Sequence, residues 1–80
     1  MTVLAVFRSR AQALDAIALC KSAGVPARAV ATPQEAGCGC GLSAAFDLRF
    51  LPRVKKLLSS GRYSSFQAFY RDCGGVFVRC

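Results

Sequence analysis

Gly37-Cys38-Gly39-Cys40-Gly41, near the middle of the chain, constrains the fold more than any other stretch. Glycine is costly in the interior of a helix or strand, so three in five positions mark a connection rather than an element. That connection divides 80 residues into two halves, each of which reads as strand, helix, strand. Glycine also lets the backbone approach a ligand closely and take positive φ, and a plain turn has no need of two thiols. The bland alternative is a glycine-rich hairpin loop whose cysteines are incidental.

The first half is well punctuated. Thr2 to Phe7 is an apolar, β-branched-rich run suited to a buried central strand, ended by Arg8-Ser9. Ser9 caps a helix, and Gln12 completes an S-x-x-Q capping box. Ala13, Ala16, Ile17, Cys20 and Ala23 then share one face, which makes Cys20 a core residue, while Asp15 and Lys21 face away. Gly24 supplies a left-handed cap and Pro26 stops the helix from resuming. Ala27 to Thr32 reads as a less apolar strand near an edge, closed by Pro33.

In the second half, Leu42 to Phe46 is a third strand that extends at most to Phe50. Asp47 can cap a helix, and a start near Arg49 or later keeps Pro52 in the first turn, where its missing donor does no harm. Val54, Leu57 and Leu58 make the apolar stripe, and Gly61 ends it. Tyr63 to Arg71 fits a fourth strand, with Phe66, Ala68 and Tyr70 on one face. Asp72-Cys73-Gly74-Gly75 is turn chemistry, and Val76 to Cys80 is either a hairpin partner or a frayed end. The order strand, helix, strand, strand, helix, strand predicts an α+β, ferredoxin-like βαββαβ domain over residues 1–80, with both helices on one face of an antiparallel sheet. The Cys-Gly loop then lies at the same end as the start of the first helix, near Arg8, Ser9, Arg10 and a positive helix terminus.

Composition narrows the function. Eleven Lys and Arg against 4 Asp and Glu give a net charge of +7, which suits an anionic partner. Only Arg53 to Lys56 forms a cluster, and it reads first as a solvated helix face. An apolar share of 54% with no run long enough for a membrane span implies a dimer or partner surface instead. No signal peptide is recognisable at the start, and five cysteines, an odd number, indicate a reduced, cytoplasmic setting rather than a disulfide framework. The absence of His removes the usual general base and the commonest metal ligand.

Cys38 and Cys40 therefore carry the chemistry. Cations that lower a thiol's pKa by about two units raise its thiolate share roughly 25-fold but cut intrinsic nucleophilicity about tenfold. The larger gain is in leaving-group behaviour, which matters to a cysteine that must accept a sulfur or selenium atom and pass it on. Gly39 and Gly41 free backbone N–H groups for an anion-binding nest able to hold a terminal persulfide or perselenide, and the second thiol is placed to resolve it.

Several short motifs carry a resemblance in order and spacing: Val6-Phe7-Arg8-Ser9, Ala13-Leu14, Ala23-Gly24-Val25-Pro26, Thr32-Pro33 and Cys40-Gly41-Leu42-Ser43. Over about Thr2 to Tyr70 the chain resembles the family of putative selenium/sulfur carrier protein-like domains. In that family a Cys-Gly pair stands at the head of the third strand, and the resemblance implies Cys40 as the carrier residue, with Cys38 an addition. Asp47 to Pro52 and the tail beyond Arg71 depart from the family pattern.

The leading expectation is thus a small carrier that needs no resident cofactor and works between sulfur or selenium donor and acceptor proteins, at most sulfurtransferase-like. A second reading is a soft-metal domain holding Cu(I) or Zn on Cys38 and Cys40. RNA binding ranks third, because Ala44 to Phe50 lacks the basic-Gly-aromatic pattern of RNA-reading sheets. A plain structural subunit is fourth.

Overall fold

The computed structural model describes residues 1–36 and 41–80. Its elements are β1 (Thr2–Phe7), α1 (Arg10–Ser22), β2 (Arg28–Ala31), a 3-10 turn (Gln34–Ala36), β3 (Leu42–Asp47), a second 3-10 turn (Leu48–Phe50), α2 (Leu51–Gly61), β4 (Phe66–Asp72) and β5 (Phe77–Arg79). The class is α+β, as expected: two helices and an antiparallel sheet of order β2-β3-β1-β4-β5. The most apolar strands, β1 and β3, are central, and the weaker β2 is an edge.

Alternation along β1 separates two cores. Val3, Ala5 and Phe7 face the helices and pack with Ala13, Ala16, Ile17 and Cys20 of α1, Val54 and Leu58 of α2, and Ala44 and Phe46 of β3. Leu4, Val6 and Ala45 face the other way and are covered by Val30, Ala36, Tyr70 and Phe77. Small residues at positions 13 and 16 let α1 lie close to the sheet, while Val54 and Leu58 each bring about 1.5–3 kcal/mol of burial to α2.

Local signals set the helix ends. The Ser9 Oγ accepts from the Gln12 N–H at 3.2 Å. At the far end Gly24 takes φ +80°, the Val25 N–H donates to the Cys20 carbonyl and the Gly24 N–H to the Lys21 carbonyl, which is a Schellman closure. Val25 is fully buried beside Cys20 in the same core. Before α2, the Asp47 carboxylate caps the short 3-10 turn by accepting from the Arg49 N–H at 3.1 Å, and Pro52 falls in the first turn of the helix. That backbone hydrogen bond is the main reason Asp47 ionises below the usual carboxylate range.

Three expectations need correction. The capping box is half formed, because the Gln12 side chain turns away from Ser9: its Oε1 accepts from the Ser65 N–H at 2.9 Å and the Ser65 hydroxyl at 2.7 Å. Gly61 is the last residue of α2, as expected, while the left-handed residue is Arg62, one position further on, at φ 54°. Gly61 is also a close-approach glycine, since a Cβ there would collide with the Tyr63 ring. Strand β4 starts at Phe66 rather than Tyr63. Phe66 and Ala68 do not share a face, for the pairing with β1 shifts between Val6↔Ala68 and Phe7↔Phe66 and leaves Gln67 as the extra residue of a bulge. Phe66 and Phe69 therefore both face the helices, and Tyr70 faces away.

The tail is a hairpin partner. β5 pairs with β4 through Tyr70↔Arg79 and Asp72↔Phe77. Positive φ at Gly74 and Gly75, with the Gly75 N–H on the Asp72 carboxylate at 2.9 Å, makes the turn.

Candidate functional site

The head of β3 is held from two sides. Its first neighbour, Gly41, accepts the Thr32 N–H at 3.1 Å from the end of β2. On the other side stands the end of β1: a Cβ on Gly41 would lie 2.7 Å from the Phe7 carbonyl oxygen and 3.2 Å from Thr32 Oγ1. No side chain fits that gap without a backbone shift, so glycine is required here by space. Directly behind, Thr32 Oγ1 and Ser43 Oγ share a hydrogen bond of 2.8 Å, which satisfies the fully buried Ser43 hydroxyl. Sequence reasoning missed Phe7, Thr32 and Ser43 as supports; two small hydroxyl residues at the ends of otherwise apolar strands were the available signal.

Arg8, Ser9 and Arg10 follow Phe7 directly. The Arg8 N–H donates to the Ser65 carbonyl at 3.0 Å, Ser9 is the N-cap, and Arg10 opens α1. Arg8 and Arg10 are exposed, and the first turn of the 13-residue helix carries no acidic residue. Helices usually neutralise their N-terminal partial charge with Asp or Glu. Here two guanidinium groups are added to it, and among the described residues neither is ion-paired. This corner of the molecule, next to Gly41, is electropositive.

Cys38, Gly39 and Cys40 lie outside the described residues. The segment leading to them is described as far as Ala36, whose N–H donates to the Pro33 carbonyl at 3.1 Å and whose side chain packs on Leu4, Val6 and Ala45. Of the remaining cysteines, Cys20 is buried in the helix-side core, and burial pushes its thiol pKa up. Cys73 and Cys80 are exposed on the β4–β5 hairpin, separated from β3 by β1 and β4. Among the described residues, no three metal-ligating side chains are grouped to hold an ion. No helix among them is long and apolar enough to cross a membrane.

The sequence profile of one family, described as putative Se/S carrier protein-like, matches residues 2–71. The chain belongs to that family. The match runs from β1 almost to the end of β4, takes in the Cys-Gly stretch, and stops before β5. Cys73, Cys80 and the edge strand β5 lie outside the matched residues of this Se/S carrier-like protein. No curated protein and no solved structure matches the chain.

Proposed function

We propose that this protein carries one sulfur or selenium atom on Cys40, assisted by the neighbouring Cys38 thiol, and delivers it to a partner enzyme in a reducing compartment, the cytoplasm. To load, the Cys40 thiolate attacks the terminal sulfur of a donor persulfide; the donor S–S bond breaks and the donor thiolate leaves with the electron pair. To unload, a nucleophile on the acceptor attacks the terminal sulfur now on Cys40, and the Cys40 thiolate leaves. Neither step is a net oxidation, so no other reagent enters. Selenium follows the same path with an S–Se bond in place of S–S.

The observation that carries the reading is the corner around Gly41. A glycine required by space fixes the residue after Cys40 beside the Phe7 carbonyl at the end of β1; Arg8 follows Phe7 in the chain, Arg10 opens α1, and the first turn of that helix has no acidic residue. An electropositive setting favours a thiolate as attacker and, more strongly, as leaving group. Backbone N–H groups at Gly39 and Gly41 suit the terminal anion. Membership of the family supports the same assignment.

Incubation with a low-molecular-weight persulfide, followed by intact mass measurement, tests it. The experiment belongs in a Cys73→Ser/Cys80→Ser background, because those exposed thiols would take up sulfur without any site. One added sulfur, largely lost in Cys40→Ser, is the expected result. No addition, or addition indifferent to Cys40→Ser, would falsify the proposal.

A further inference from the structure

The helix side of the sheet is not closed over β4. A groove of about 220 Å³ runs between α2 and β4, lined by Lys55, Leu58, Ser59, Tyr63, Phe66 and Phe69. Its floor is aromatic: Phe66 and Phe69 have ring centroids 4.9 Å apart, and Phe69 meets Phe46 edge-on at 6.2 Å. The bulge at Gln67 creates this floor by turning Phe66 and Phe69 to the same side. Beyond Phe69 in the helix-facing row stand Arg71 and, paired with it on β5, the exposed Val78.

The helix wall of the groove carries one cation, Lys55, and belongs to a cationic helix. α2 contributes Arg53, Lys55 and Lys56 and no carboxylate, Arg62 follows at its end, and all four are exposed. Lys55 Nζ lies 6.0 Å from the centre of the Phe69 ring. Among the described residues none of the four is ion-paired. The acid beside the groove, Asp15, accepts the Tyr63 hydroxyl at 2.8 Å. An aromatic slot on a surface where cations outnumber acids attracts and orients the opposite sign.

We propose that this groove docks an acidic segment of a partner protein, one that inserts a single aromatic or branched apolar side chain between flanking Asp and Glu residues. Size favours an anchor over a whole small ligand, since ligand pockets commonly reach about 300–1,000 Å³ while one buried anchor can dominate a protein interface. Charge disfavours a second copy, because each chain carries +7. Neither Cys38 nor Cys40 takes part, so the inference goes beyond the carrier reading and stands without it.

Titration of the isotope-labelled protein with an acidic nonapeptide bearing one central phenylalanine tests the proposal. Saturable amide shifts at Ser59, Phe66, Phe69 and their neighbours are expected. Affinity should fall about fivefold or more when alanine replaces the peptide's phenylalanine, by a similar factor in Lys55→Glu, and with added salt. Ser59→Trp, which fills the groove and keeps every charge, should abolish the shifts while leaving sulfur loading on Cys40 unchanged. The idea is overturned by any of four results: no saturation at millimolar peptide, shifts centred elsewhere, equal binding of a lysine-for-acid peptide, or preferential binding of an RNA homopolymer at these residues. Self-association of the protein through α2 and β4 would overturn it too.

Discussion

Gly41 and Phe7 approach so closely that a single methyl group at position 41 would sit 2.7 Å from the Phe7 carbonyl oxygen. The obstacle is backbone rather than a movable side chain, so the requirement for glycine here is one of space. Gly41→Ala must push the head of β3 away from β1 and is expected to cost about 1–3 kcal/mol in denaturant unfolding. Gly24→Ala gives the contrast: space is open there, but φ is +80°, and the expected cost of about 1–2 kcal/mol comes from the backbone alone. Should Gly41→Ala prove neutral, the close packing around the candidate site is not as described.

Gln12 ties the start of α1 to the segment before β4 instead of closing a capping box. Ser9→Ala should cost about 1 kcal/mol through the lost cap. Gln12→Ala should cost about 1–2 kcal/mol through two hydrogen bonds to Ser65. Double-mutant cycles separate the two arrangements. Gln12→Ala should add to Ser9→Ala within about 0.5 kcal/mol and couple instead to Ser65→Ala. Coupling to Ser9 alone would restore the capping box.

These two cases show where the sequence stops being legible. Gly24, Pro26 and Pro52 act through the backbone of their own turn, and the boundaries they imply are found. Gln12 stood three residues from a serine and matched a local motif, yet its partner lies 53 residues away. Gly61 ends α2 as its place in the sequence implied, but the Tyr63 ring packed against it is not visible there. The bulge at Gln67 is invisible in β4 itself, whose residues alternate plausibly either way, and emerges only from pairing with β1. At the candidate site, the expected topology put Arg8, Ser9 and Arg10 at the same end of the sheet as the Cys-Gly loop, and the structure sets Gly41 against Phe7, the residue before Arg8. Their buttress of Phe7, Thr32 and Ser43 depends on strand register, which no short motif encodes.

Cys20 is expected to be inert in the folded protein. It is buried in the helix-side core, and burial raises its pKa. Iodoacetamide under native conditions should modify Cys73 and Cys80 within minutes and reach Cys20 only after denaturant is added, as peptide mapping would show. Modification of Cys20 at a rate like that of Cys73 would mean that α1 opens readily from the sheet.

Tyr63 should titrate late. Its hydroxyl is partly withdrawn from water and donates to the Asp15 carboxylate, and both effects push its pKa up to about 12. The folded value lies above the usual tyrosine value of about 10, so the neutral form is the one the fold favours. Its contribution to stability is complete below pH 10 or so and is lost as pH rises through about 12. Tyrosinate absorbance should show a component near that value that disappears in Tyr63→Phe.

Phe77 lies outside the family match yet packs against Leu4, Val6 and Ala45, the core on the side of the sheet away from the helices. Among the described residues neither α1 nor α2 packs on that side, so the last strand supplies part of its roof. Complete burial of a phenylalanine would make its loss worth about 3–5 kcal/mol, and half-burial scales this to roughly 1–3 kcal/mol for Phe77→Ala. Val78→Ala, three-residue neighbour strand notwithstanding, removes an exposed side chain from the opposite face and should change stability by no more than about 0.5 kcal/mol. Thermal unfolding of the two variants would therefore separate a hairpin that seals a core from one that merely lengthens the sheet: equal melting temperatures would exclude the first.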